Sequence, residues 1–142
     1  MKKLLLIAGL LVIGAIAFAG KYENELTERM KVAEEKAQTG WDSGVRVDMI
    51  NASLDLDTEW EKEMNKVYDL ILKKLPAKEK TKFKAEQNKW VKDRKVKVQK
   101  AYDKYIKEEG PRMAGELAAS ERLSITKERT LELAKRYDKL NK

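Results

Sequence analysis

The 142-residue chain has no cysteine and no histidine. Without cysteine there is no disulfide, no thiolate nucleophile and no processed N-terminal cysteine to carry a lipid. Without histidine the commonest general base near neutral pH and the commonest metal ligand are gone. Oxygen-only Ca²⁺ or Mg²⁺ sites survive that exclusion, but no loop follows the D-x-[DN]-x-[DN]-G pattern, so neither a metal nor a cofactor is expected. Proline is confined to Pro76 and Pro111, and there are only seven glycines. Lys, Glu, Ala, Leu and Met, which lose least on becoming helical, are abundant. These scarcities predict an all-α chain: an irregular bundle of about four helices built on a long antiparallel helical pair.

Long apolar runs are also missing, except at the start. Lys2 and Lys3 precede an apolar stretch from Leu4 to Ile16, and Ala17-Phe18-Ala19 forms a small-x-small cleavage site ahead of Gly20. Residues 1–19 therefore read as a secretory signal peptide, and residues 20–142 as a single helical domain of the periplasm or exterior. The competing interpretation is an uncleaved membrane anchor, for which the run falls short of the roughly 20 residues that span a bilayer. An exported chain without disulfides must be held together by helix packing alone.

Formal net charge is +7, and it is unevenly spread. Residues 20–76 hold 9 basic and 13 acidic side chains, residues 77–109 hold 12 and 6, and residues 110–142 hold 8 and 5. The basic character is concentrated in the third quarter of the chain. Such a face suits anionic lipid, a cell-wall polymer or an acidic protein. Nucleic acid is not an expected partner, because no recognised binding motif is present.

Four helical segments follow from the apolar spacing. Tyr22, Leu26, Met30, Ala33 and Ala37 form one stripe. Gly40 is placed to end that helix, and residues 39–44 read as a turn carrying Trp41, which either plugs the end of the core or faces a ligand. A second segment, about 47–75, carries Ile50, Leu54, Trp60, Met64, Val67, Tyr68, Ile71 and Leu75, with Asp57 interrupting the stripe and an optional break over 53–58. Asp55, Asp57, Glu59, Glu61 and Glu63 recur every second residue, which scatters them around a helix and predicts a solvated face. Pro76 makes a corner between helices. The third segment, about 77–108, places Phe83, Gln87, Trp90, Val91, Arg94, Val98, Tyr102, Tyr105 and Ile106 on one side. Gly110-Pro111 makes the last corner, before a segment with Met113, Leu117, Ile125, Leu133, Tyr137 and Leu140, interrupted by Glu121 and Arg129. Arg122, Lys127, Arg136 and Lys139 read as solvated surface. The first helix is expected to lie across the long pair, with the last closing the core.

Three ordered blocks carry a family resemblance. Met64, Asn65 and Tyr68 match an L-N-x-x-Y signature. Glu86, Gln87, Trp90, Arg94 and Lys95 fall on A-Q-x-x-W-x-x-x-R-D. Thr126, Arg129, Glu132 and Leu133 fit T-x-x-R-x-x-E-L. Over about residues 45–140 the chain resembles the LprI-like lysozyme-inhibitor domain family. The resemblance implies a small exported helical domain, with inhibition of lysozyme known for some relatives. Two departures stand out. Cysteines common in the family, near Ser53, Val98 and Ser120-Glu121, are absent, and Lys95 replaces the acid that follows the arginine.

Asn65 lies 11 residues before Pro76 and Gln87 lies 11 after it, so an antiparallel corner sets them opposite one another. Asn65, Tyr68, Gln87, Trp90, Arg94, Arg129 and Glu132 thus form the candidate cluster, with Trp41 as a secondary candidate. One interpretation is structural: Gln87 bonded to Asn65, and Arg94 stacked on an aromatic or paired with Glu132. The other is an interaction groove anchored by Trp, Tyr and Arg. No activated nucleophile or converging acid–base pair suggests catalysis. The expected function is a non-enzymatic envelope or secreted protein-binding domain that inhibits lysozyme-like muramidases. The alternative is a structural adaptor on anionic membrane or wall polymer, acting through the Lys-rich third helix. The named partners are accordingly a lysozyme-like hydrolase, another envelope protein, or an anionic lipid or wall polymer.

Overall fold

The computed structural model describes residues 19–142, and the expected signal peptide lies almost wholly outside the described residues. Within them are four helices: α1 (Lys21–Asp42), α2 (Arg46–Lys74), α3 (Ala77–Glu109) and α4 (Pro111–Leu140). The protein is an all-α, irregular four-helix bundle, as composition and spacing predict. No helix among the described residues is long and apolar enough to cross a membrane.

The two prolines do what their chemistry allows. Pro76 stands at the N-cap of α3 in extended conformation, and Leu75 before it is also extended, which stops α2. Pro111 occupies the first turn of α4, where a missing N–H costs nothing, directly after Gly110 at φ 80°.

The first corner differs from expectation. Gly40 does not end α1, which continues to Asp42. The reversal falls at Gly44, whose φ of 69° lies in the left-handed region. Ser43 braces the turn: its hydroxyl donates to the Gly40 carbonyl and accepts the Val45 N–H. Gly40 serves packing instead. A Cβ there would sit 2.7 Å from Ala52 Cβ and 3.2 Å from the Asp48 carbonyl oxygen, so its absence lets α1 approach α2. The optional break over residues 53–58 is also absent, and α2 is continuous.

Contacting residues give the topology. Along α2 and α4, Asp57 meets Arg122 and Thr126, and Trp60 meets Thr130, so these two helices run parallel. The α3 helix runs antiparallel to both: Arg94 reaches Thr126 and Glu61, while Phe83, nearer the corner, meets Tyr68 and Arg136. The most extensive helix contact is α2 with α4, followed by α3 with α4 and then α1 with α2. The bundle is therefore flattened. A parallel pair, α2 and α4, forms the centre, with α1 against one side of it and α3 lying chiefly on α4. The α2/α3 hairpin is antiparallel as expected, but α4 lies between its arms, and the two meet through long side chains. The α1 helix packs along α2 and α4 and not across the hairpin.

Two apolar clusters fill the centre. One gathers Leu26, Met30, Ala37, Ala52, Leu56, Trp60, Leu123 and Ala134, with Trp41 half-buried at its edge. The other gathers Met64, Val67, Ile71, Leu75, Phe83 and Leu133. Each fully buried side chain of this size contributes roughly 1.5–3 kcal/mol. Leu54, Val91, Ile106 and Met113, assigned to the apolar stripes by spacing, are exposed.

The start of α1 has no capping side chain of its own. Asp138, near the end of α4, supplies one across the bundle by accepting the N–H groups of Tyr22 and Glu23 at 2.8 and 3.0 Å. Tyr22 and Tyr137 meet edge to face beside it, with centroids 5.0 Å apart.

Gly40→Ala is expected to cost about 1–3 kcal/mol through overpacking. Gly115→Ala, where the nearest atom is Ile50 Cδ1 at 3.9 Å, should stabilise by about 1 kcal/mol through helix propensity. Urea unfolding of both variants checks the pair.

Candidate functional site

The central pair carries a carboxylate where its stripe requires an apolar residue. Asp57 is 2 % exposed. Its two oxygens accept from Arg122 Nε at 2.7 Å and from the Thr126 hydroxyl. The Thr126 hydroxyl in turn accepts from Arg94 Nη1 at 3.0 Å. Arg94 Nη2 reaches Glu61 at 3.1 Å, and Arg122 lies 3.7 Å from the same carboxylate. Two carboxylates and two guanidiniums close into a neutral ring around one hydroxyl. That balance makes burial tolerable, because an unpaired charge there would carry its full desolvation cost.

One helical turn away a second cluster repeats the theme. Arg129, 5 % exposed, donates from Nε and Nη2 to the Gln87 side-chain oxygen at 3.1 and 3.0 Å. It also reaches Glu86 at 2.7 Å and Glu132 at 2.9 Å. Gln87 points its amide nitrogen at Met64 Sδ, 3.5 Å away. Arg136 pairs with the other Glu86 oxygen and lies over the Phe83 ring at 4.5 Å. Burial raises the Glu86 pKa, but hydrogen bonds from Arg129 and Arg136 outweigh it and hold the carboxyl below its ordinary value.

A third pairing ties α1 to α2. Glu63 accepts from Arg29 at 2.7 Å and from Lys66 at 2.6 Å. Burial raises its pKa, and these two hydrogen bonds more than reverse the effect, leaving it lowered. The expectation of a solvated acidic face over residues 55–63 is thus corrected: Asp57 and Glu63 are buried and paired. Arg122 is likewise an ion-pair partner and not simply solvated surface. Among the described residues, Trp60 Nε1 is the buried side-chain nitrogen without a partner.

The residues singled out from sequence separate into three environments. Gln87, Arg94 and Arg129 are buried, and the helices bring them to one line between α3 and α4. Tyr68 and Trp90 are half-buried: Tyr68 against Phe83 at 4.9 Å, Trp90 under the Arg94 guanidinium at 4.9 Å. Asn65 and Glu132 are exposed. Asn65 does not meet Gln87; Met64 holds that place. Glu132 pairs with Arg129 and not with Arg94. Trp41 is half-buried, its Nε1 donating to the Ser53 hydroxyl at 3.0 Å.

Asp57, Glu61, Arg122 and Thr126 are members of the network that the candidate cluster did not include. Their signal was present, since Asp57 breaks the α2 stripe and Arg129 breaks that of α4. Each interruption is met from a neighbouring helix: Asp57 by Arg122 and Thr126 of α4, and Arg129 by Gln87 and Glu86 of α3.

An open groove lies on the other side of the bundle. It encloses about 690 Å³ between α1 and α2. Val32, Ala33, Ala37, Ala52 and Leu56 line it, with Asp48, Asp55 and Glu59 along the α2 wall and Arg29 and Lys36 on the α1 wall. Val32 is 75 % exposed. Asp48 and Asp55 form no ion pair among the described residues.

A family model described as "Lysozyme inhibitor LprI" matches residues 34–133. The chain belongs to the LprI lysozyme-inhibitor family. The match begins in the last turns of α1 and ends in α4, so it covers the Asp57 ring and the α2 wall of the groove, while Val32 and Ala33 of the α1 wall precede it. Comparison with curated proteins and with solved structures gives no match. The family is described as one of inhibitors and not of catalysts.

Two predictions follow from the network. Thr126→Val keeps the shape but leaves Asp57 and Arg94 each short of a partner, so it should cost about 2 kcal/mol in urea unfolding. Thr27→Val on the exposed face of α1 should stay within about 0.5 kcal/mol. The second concerns pH. Glu63 and Glu86 ionise more readily folded than unfolded, so their stabilisation is complete above the ordinary glutamate range near 4.3 and is lost as pH falls through their folded values. The melting temperature should hold steady down to about pH 5 and then decline. Glu63→Gln should flatten that decline, and an unchanged slope would refute the assignment.

Proposed function

We propose that residues 20–142 form an exported domain that binds and inhibits a lysozyme-like muramidase, with the α1–α2 groove as the contact surface. The single observation that carries the target class is the family match over residues 34–133. Export rests on the lysine-flanked apolar segment and the Ala17-Phe18-Ala19 site that precede Gly20.

The choice of surface follows from charge and shape. Lysozymes are commonly basic, and residues 20–142, with a side-chain charge of +5, would repel them if that charge were uniform. The excess of acid lies in α1 and α2, and the groove between them combines an apolar floor with the carboxylates of Asp48 and Asp55 on the α2 wall. Among the described residues both are unpaired, and Lys36 is the unpaired cation opposite them, since Arg29 is held by Glu63. A basic partner can desolvate that floor while pairing with its acidic wall. Gln87, Arg94 and Arg129 fit the other half of the reading. Their hydrogen-bonding capacity is spent inside the bundle, so they hold the frame, and a partner approaching that side would meet only Tyr68, Trp90 and their exposed neighbours.

The full chain at micromolar concentration should slow hydrolysis of a cell-wall suspension by a basic muramidase and co-purify with it. Reversing the acidic wall, Asp48→Lys with Asp55→Lys, should weaken inhibition at least about tenfold, since like charges across an interface are strongly unfavourable. Trp90→Ala should leave inhibition unchanged. Absence of both binding and inhibition across a panel of muramidases would sink the proposal, and loss of inhibition only in Trp90→Ala would move the surface to the α3 side.

A further inference from the structure

We propose that the outer face of α3 docks on an anionic phospholipid surface. This surface is independent of the muramidase reading, because α3 lies on the opposite side of the central pair from the α1–α2 groove.

At about 100° per residue, Lys78, Lys82, Lys89, Lys92, Lys100 and Lys107 all fall within about 50° of one line along α3. That line is opposite the buried face of Phe83, Gln87 and Arg94. All six lysines are exposed. The row runs for about 44 Å at 1.5 Å per residue. Among the described residues its only substantial helix neighbour, α4, covers the reverse side, and no other helix screens it. Asp93 and Asp103 are the acids on or beside the line. Lys89 pairs with Asp93, and Gln99 donates to Asp103 at 2.9 Å. Lys78, Lys82, Lys92, Lys100 and Lys107 form no ion pair among the described residues. Val96, 51 % exposed, sits within the row as an apolar contact.

The spacing favours a fluid surface over a fixed one. Successive lysines are 4, 7, 3, 8 and 7 residues apart, which places their attachment points from about 4 to about 12 Å apart along the axis. A polymer with a regular phosphate repeat matches so irregular a row at only some positions. Lipid headgroups diffuse laterally and can collect under each cation, and the flexible lysine stems reach a plane from different angles around the helix. Each basic residue near such a surface adds affinity independently, and the effect decays within a Debye length.

The test is sedimentation of the full chain with vesicles of phosphatidylcholine alone and of phosphatidylcholine mixed with phosphatidylglycerol. The ratio of the two affinities separates charge attraction from any partitioning of the apolar N-terminal segment, which is common to every sample. The expected result is a preference for the mixed vesicles that fades as salt rises. Lys82→Gln, Lys92→Gln and Lys100→Gln together should reduce that preference about a hundredfold, at about fivefold per lysine. Lys31→Gln, Lys36→Gln and Lys73→Gln remove the same charge from α1 and the α1 side of α2, and should leave the preference within a few-fold. All six positions are exposed, and unchanged melting curves will certify the fold. Equal losses in the two triple variants would reduce the effect to net charge and overturn the proposal. So would a preference that survives the α3 substitutions, or binding to soluble polyphosphate with no preference among vesicles. Muramidase inhibition is read without vesicles, so either reading can fail alone.

Discussion

A carboxylate at a core position sets the terms for this bundle. Asp57 sits on the inner side of α2, where its helical phase demands an apolar residue, and burial of an unpaired charge there would be prohibitive. The remedy is shared by three helices: Arg122 and Thr126 from α4, Arg94 from α3, and Glu61 from α2 to balance the second guanidinium. Such a ring is weak evidence for net stability, because its Coulomb gain is largely offset by desolvation. What it does specify is register. A sheet of apolar contacts tolerates a slide of one helix along another, whereas a ring of directed bonds around one hydroxyl breaks on a shift of one residue.

The flattened arrangement follows from the same requirement. In a square up-down-up-down bundle, α2 and α4 would stand on a diagonal. Here they are the closest pair, and the small residues Ala114, Ala118 and Ala119 on α4 remove bulk from its buried faces. Bringing these helices together pushes α1 and α3 to opposite flanks, and that is where the charge asymmetry of the sequence acquires spatial meaning. Acidic excess lies with α1 and α2, and basic excess with α3. A chain that is moderately basic in total is thus a two-faced body, and long-range attraction to a partner depends on which flank is presented.

Much of this was legible beforehand, and the failures are instructive. Helix count, the Pro76 and Gly110-Pro111 corners and the apolar stripes all came from local chemistry, because each depends on a backbone limitation or a period of 3.6. Gly40 was misjudged because glycine has two uses, turning a chain and admitting a neighbour, and only the position of α2 separates them. Asp57 and Glu63 were assigned to solvent because an i, i+2 pattern does scatter around a helix. A helix enclosed from several sides buries scattered positions too. Counting from the corner sets Asn65 opposite Gln87, and the level is right, since Met64 meets Gln87 and Tyr68 meets Phe83. The count carries no helical phase, and Asn65, about 100° round from Met64, faces solvent. The α1–α2 groove was not foreseen, since it belongs to no single segment and arises from how two amphipathic faces stop short of closing.

The cap that Asp138 provides for α1 joins groups 116 residues apart in sequence. A chain made from its N-terminus has its first helix complete long before that carboxylate exists. Until α4 emerges, α1 has neither a capping side chain nor the Tyr137 ring against Tyr22, and only α2 is there to cover its apolar stripe. The first turn of the earliest helix is therefore among the last parts of the fold to be secured. The two ends of the domain are thus fastened in one step, when the last turns of α4 reach the first turn of α1.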